Sequence, residues 1–154
     1  MIVYRIAKKQ FINDLSGEGA RIFGGRWNKK GNSTVYTAEN RALAAIESLV
    51  HVQPNLWPED SYMAEIRLPN DSKSYCIDIK EDLPENWQQY PAPSVLGDIT
   101  ENIFQEKNVL FISVPSVVVK WEWNVIINPK HEDMKKVEIM QVEKFEFDKR
   151  LRKV

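Results

Sequence analysis

One stretch constrains this chain more than any other. Asn108 to Val114, with Val109-Leu110-Phe111-Ile112 at its centre, is a continuous apolar run closed by Pro115-Ser116. A strand with no polar alternation has to be covered on both faces, so the run reads as the central strand of a sheet. The other strand-like segments are shorter or alternate: Ile2 to Ile6, Thr34 to Thr37, Tyr62 to Leu68, Tyr75 to Ile79 and Trp123 to Ile127, with one or two edge strands over 137–147. Two helices are expected among them. The first covers about Ala38 to Val50, capped by Thr37, with Leu43, Ile46 and Val50 as its buried stripe. The second runs from a cap at Ser94 to about Gln105, with Leu96, Ile99 and Ile103 inward and Gly97 a costly residue in its first turn. Ser16-Gly17-Glu18-Gly19 and Lys29-Lys30-Gly31-Asn32 read as turns, and Gln53 to Pro58 reads as a loop broken by two prolines. This order predicts an α+β fold, with a mixed, largely antiparallel β-sheet core and flanking helices, over a doubly wound parallel one. No G-x-G-x-x-G follows a strand, so a Rossmann dinucleotide site is not indicated.

Composition narrows the function classes. The 154 residues suit one domain, 1–154, with a real core, and 43% hydrophobic with 28% charged residues is globular rather than disordered. Basic and acidic side chains number 21 and 22, a balance that argues against direct nucleic-acid binding through a bulk positive field. The single Cys76 suits a reducing compartment, and with His51 and His131 as the other soft ligands no metal site is expected. No apolar run approaches the roughly 18 residues of a membrane span, and no signal-peptide pattern opens the chain. A cytoplasmic protein is expected. The basic tail Lys149 to Lys153 reads as a solvated terminus.

The least generic stretch is Phe23-Gly24-Gly25-Arg26-Trp27-Asn28. Paired glycines let the backbone approach another surface, Arg26 brings a planar fork for phosphate or carboxylate oxygens, and Trp27 brings a broad π face. Such a loop can hold a nucleotide; it can equally be turn punctuation. Glu47 borders the stripe of the first helix, either half-solvated or aimed into a cleft. Ser116 after Pro115 is a turn or cap residue on its own, Tyr36 a strand tyrosine, and Trp27 a packed wall. Asn124, Asn128 and His131 can simply satisfy backbone groups around a turn.

Taken as an ordered set, these features resemble the RES domain, whose hallmarks are arginine, glutamate and serine. Tyr4-Arg5-Ile6, Gly24-Gly25-Arg26-Trp27-Asn28, Val35-Tyr36-Thr37-Ala38 and Leu43-Ala44-Ala45-Ile46-Glu47 carry the first half of the resemblance. Leu83-Pro84 with Trp87, Leu96-Gly97-Asp98, Val114-Pro115-Ser116 and Asn128-Pro129 with His131 carry the second. The resemblance implies an ADP-ribosyltransferase-like fold and the toxin of a type II toxin–antitoxin pair that arrests growth. Its partner would be an Xre-type helix-turn-helix antitoxin. It implies consumption of NAD⁺ as substrate by phosphorolysis or hydrolysis, with inorganic phosphate as co-substrate in the first case and no prosthetic group. Transfer of ADP-ribose to a macromolecule, or a non-catalytic partner-binding module, are the alternatives, and a homodimer stays open.

Carried over to this chain, the catalytic positions are Arg26, Glu47 and Ser116, with Tyr36, Gly25, Trp27 and Asn28 as substrate-binding neighbours. ADP-ribosyltransferases place their glutamate late in the chain, whereas Glu47 is early and on a predicted helix. Cleaving the nicotinamide–ribose bond builds positive charge on the sugar, as in glycoside hydrolysis. Glu47 suits that cation or the orientation of a nucleophile. Arg26 suits pyrophosphate or inorganic phosphate, with Gly25 letting backbone near the anion. Tyr36 offers a ring to stack and a hydroxyl to orient, and Ser116 a donor to phosphate or ribose rather than a nucleophile.

Overall fold

In a computed structural model, which describes residues 1–53 and 57–151, the strand segments assemble into one seven-stranded sheet. In chain order the strands are β1 (Ile2–Lys8), β2 (Val35–Ala38), β3 (Ser61–Arg67), β4 (Ser74–Cys76), β5 (Phe111–Pro115), β6 (Trp123–Ile127) and β7 (Glu138–Lys144). They lie as β4-β5-β6-β2-β1-β3-β7, and β4 against β5 is the parallel pair in an otherwise antiparallel sheet. The expected mixed, largely antiparallel α+β architecture is therefore found.

The apolar run becomes β5, which lies second from an edge rather than at the centre. Its composition still follows from burial on both faces. Ile112 and Val114, with Ile126 of β6, pack against Ile103, Phe104, Trp27 and Trp87 on one side. Phe111, Val125 and Ile127 pack with Val3, Ile66 and Ile12 on the other. A short edge strand gives β5 its outer partner: β4 stops at Cys76, earlier than the alternation through Ile79 predicts.

Among the described residues three α-helices flank the sheet: α1 (Glu18–Phe23), α2 (Arg41–Val50) and α3 (Val95–Lys107). The short α1 replaces the turn expected at 16–19. It buries no residue, so it leaves no apolar periodicity to read, and Gly17 enters it in the left-handed region at φ 72°. Helix α2 begins three residues later than expected. Thr37 is no cap; it pairs with β6 and its buried hydroxyl donates to the Val125 carbonyl at 2.6 Å. Asn40 caps instead, its side chain accepting from the Leu43 N–H at 2.8 Å. The buried stripe is also shorter than expected, because Leu43 and Ala44 are buried while Val50 is 58% exposed. The N-terminal half of α2 is thus held on the sheet, and its C-terminal half borders a cleft.

Gly97 in α3 has a packing reason that outweighs its poor helix propensity. A Cβ there would lie 3.0 Å from the Lys29 backbone nitrogen and 3.2 Å from the Asn28 carbonyl carbon. The first turn of α3 therefore seats against the backbone that follows Arg26, with Lys29 and Asp98 paired beside it at 2.5 Å. Within the expected loop Gln53 to Pro58, positions 54–56 lie outside the described residues, as does the basic tail beyond Leu151. No described helix is long and apolar enough to cross a membrane.

One departure from regular pairing creates the site. Strand β1 pairs with β3 from Ile2 to Lys8, but with β2 through the single register Tyr4↔Ala38. Beyond it, Arg5-Ile6-Ala7 and Val35-Tyr36-Thr37 line opposite walls of a cleft.

Candidate functional site

The cleft has a volume of about 1200 Å³ and is walled by the split strands, α1, the Gly24–Trp27 loop, the C-terminal half of α2 and the turn after β5. Glu47 projects from α2 into a polar clamp. Its Oε1 accepts from Ser116 Oγ at 2.7 Å and from Asn124 Nδ2 at 2.5 Å. Ser116 is oriented for this: its Oγ accepts from the Val118 and Val119 N–H groups at 3.1 and 3.0 Å, so its proton is directed to Glu47. Asn124 opens the regular part of β6, in register with Ala38 on one side and Val114 on the other, which fixes its direction. Glu47 Oε2 accepts no hydrogen bond among the described residues. One oxygen of the carboxylate is anchored and the other is available.

Arg26 occupies another wall. Its Nη1 donates to the Trp87 carbonyl at 2.8 Å and to the Gln89 carbonyl at 3.2 Å, and Nη2 also reaches Gln89 at 3.2 Å. Nε and the second Nη2 hydrogen have no acceptor among the described residues. Burial pulls the guanidinium below its usual pKa, and the charge of Glu47 opposes that shift.

The remaining predicted neighbours sort by burial. The Tyr36 hydroxyl accepts from the Trp27 N–H at 3.0 Å and donates to Asn28 Oδ1 at 2.8 Å. Burial holds that phenol far above its usual range, so it stays protonated. Asn28 is buried, and its Nδ2 donates to the carbonyls of Ala20, Lys29 and Asn32. Gly25 makes room for this bracket, since a Cβ there would lie 2.6 Å from the Tyr36 oxygen. Trp27 is 3% exposed and tilts against Trp87 at 6.5 Å between ring centroids. Gly25, Trp27 and Tyr36 line the cleft, whereas Asn28 and Ser116 stand behind it. The Tyr36 hydroxyl and the Asn28 amide are committed to holding the loop in shape.

Tyr36→Phe is accordingly expected to destabilise the fold by about 1–3 kcal/mol, because it leaves two polar groups of the bracket unpaired. Thermal unfolding measures it, at about 2–4 °C per kcal/mol for a chain of this size.

Two cleft residues lie outside the set predicted from sequence. Asn124 reads from sequence only as a residue that can satisfy backbone groups. Arg5 lines the cleft, is pulled below its usual pKa by burial, and donates to the Asp14 carbonyl. A signal for Arg5 existed: it shares a strand face with fully buried Val3, an unusual place for a charge. Among the described residues no group of three or more His, Cys, Asp or Glu is placed to hold a metal ion.

The split, largely antiparallel sheet of this α+β domain thus brings two partly desolvated arginines and an anchored glutamate into one cleft. The RES domain pattern matches residues 2–148, and the chain belongs to the RES domain family. It is 37% identical over 146 residues to the "Prs ADP-ribosylating toxin" of Sphingobium sp. (strain YBL2), covering 94% of this chain and 91% of that protein. It is 33% identical over 154 residues to "Toxin Res" of Yersinia enterocolitica serotype O:8, covering 99% and 100%. Among solved structures it is similar to the M. tuberculosis MbcT–MbcA toxin–antitoxin complex. The TM-score is 0.68 at 16% identity, covering 94% of this chain and 83% of that one, a likeness of fold.

Proposed function

We propose that this protein is the toxin of a toxin–antitoxin pair and that it consumes NAD⁺ by cleaving the bond between nicotinamide and ribose. The observation that carries the reading is the Glu47 clamp: a carboxylate fixed through Oε1, with Oε2 unpartnered, in a cleft that also holds Arg26 and Arg5. As the bond breaks, its electron pair leaves with nicotinamide, which departs neutral, and positive charge builds on the ribose. A preset negative oxygen lowers the energy of that charge without reorganising at the moment of reaction. Arg26 and Arg5 supply positive charge for the pyrophosphate or for inorganic phosphate. The cation is then captured by phosphate, or by water with loss of a proton. Ser116 and Asn124 act through Glu47 as positioning residues.

Relatives that bear the name toxin support the biological role, and a cognate antitoxin, of Xre type by family resemblance, is the partner. DNA binding would come through that antitoxin, and the action is cytoplasmic, where NAD⁺ is the substrate. A second reading, transfer of ADP-ribose to a macromolecule, is favoured by the name of the Sphingobium relative. Incubating the purified chain with NAD⁺, with and without phosphate, tests the first: nicotinamide is expected to appear. Unchanged NAD⁺ under both conditions, despite growth arrest in cells, would sink the reading. A phosphate requirement identifies phosphorolysis, and adenosine-side label attached to a macromolecule identifies transfer.

A further inference from the structure

The mouth of the cleft carries two large aromatic side chains that the catalytic reading leaves unused. Tyr90 is 93% exposed and Phe23 is 77% exposed, yet both line the cleft that contains Arg26 and Glu47. Trp121 and Phe11 are also exposed but lie away from the cleft. What sets Phe23 and Tyr90 apart is that two exposed rings share one cleft with an unspent guanidinium, and that combination points to a ligand. Both are tied to Arg26. Phe23 ends α1 three residues before it, and the Gly24 N–H that follows is bonded to the Ala20 carbonyl at 2.8 Å. Tyr90 directly follows Gln89, whose carbonyl accepts from both terminal nitrogens of Arg26. The guanidinium thus holds the segment that presents Tyr90 while keeping its Nε and an Nη2 hydrogen free. The Glu47 clamp, by contrast, is built from polar side chains, Ser116 and Asn124.

The geometry points to Phe23 and Tyr90 as the stacking subsite for the adenine base of a dinucleotide whose diphosphate lies at Arg26. This rests on the NAD⁺ reading above. An adenine has two apolar faces and no charge, so it suits rings at a wet cleft mouth, and stacking tolerates the open geometry. The charge order along the ligand then matches the cleft, with aromatic rings for the base, arginine for the diphosphate and carboxylate for the ribose that becomes cationic.

ADP carries the base and diphosphate without the reacting bond, and nicotinamide mononucleotide carries the reacting bond without adenine. The full-length double variant Phe23→Ala/Tyr90→Ala is expected to bind ADP about tenfold or more weakly in titration calorimetry, given what a base–aromatic stack contributes. Its preference for NAD⁺ over the mononucleotide, as a ratio of kcat/KM, is expected to fall by a similar factor. Tyr90→Phe should retain ADP affinity, and unchanged thermal unfolding separates these effects from misfolding. ADP affinity and substrate ratio both unchanged in the double variant would overturn the subsite, as would a wild-type chain that does not bind ADP. ADP binding lost in the variant, with NAD⁺ untouched by the wild type, would retain the subsite and remove the cleavage reading.

Discussion

Glu47→Gln is expected to lower kcat for NAD⁺ cleavage by about 10²–10³-fold with little change in KM, the size seen when a preset electrostatic contact to a transition state is removed. The amide keeps the length of the side chain, and its oxygen can still accept from Ser116 and Asn124. What is lost is the negative charge on the second oxygen. Because charge on the ribose develops only as the nicotinamide bond breaks, the loss falls on the chemical step rather than on binding. Steady-state kinetics with nicotinamide release as the readout measure it, and relief of growth arrest should follow. Ser116→Ala removes one of two donors to Oε1 and is expected to cost less. If Ser116 were a nucleophile the order would reverse, so the pair of variants decides between a positioning hydroxyl and a reacting one. A Glu47→Gln protein with wild-type turnover would remove the carboxylate from the mechanism.

The fold was legible where burial leaves a local pattern. The apolar run at 109–112 announced β5 because that strand is covered on both faces, though nothing in it could reveal that only a three-residue strand lies outside it. Helix α1 was invisible because it buries nothing. Thr37 and Asn40 are both good caps by composition. The choice between them was made by β6, which takes Thr37 into the sheet. The candidate site was legible only as residue types. Glu47 lies 69 residues from Ser116 and 77 from Asn124, and Arg26 lies 61 and 63 from the carbonyls it holds. Contacts of that span are made by the order of strands, which no local spacing encodes. Gly25 is the instructive case. From sequence it suggests a backbone freed to meet an anion, yet the space its missing side chain leaves is filled by the Tyr36 hydroxyl.

Arg26 combines two duties that a lysine cannot share. Two of its nitrogens hold the carbonyls of Trp87 and Gln89, and its remaining N–H groups are unspent. A lysine ammonium keeps the charge but is a point donor without the fork, so engaging an anion would release the 87–89 segment, and holding that segment would forfeit the anion. Arg26→Lys is therefore expected to lower kcat/KM for NAD⁺ by about 10–100-fold, the range for losing one or more hydrogen bonds to a charged group, with a large share in KM. Faster amide exchange around Trp87 and Gln89 should accompany it, since the tie that orders them is gone. Arg26→Ala is expected to be more severe on both readouts. The two effects are separable: faster exchange with wild-type kinetics would make Arg26 a structural tie alone. Impaired kinetics with unchanged exchange would make it an anion contact alone. Loss of both is what a single guanidinium bridging scaffold and ligand requires.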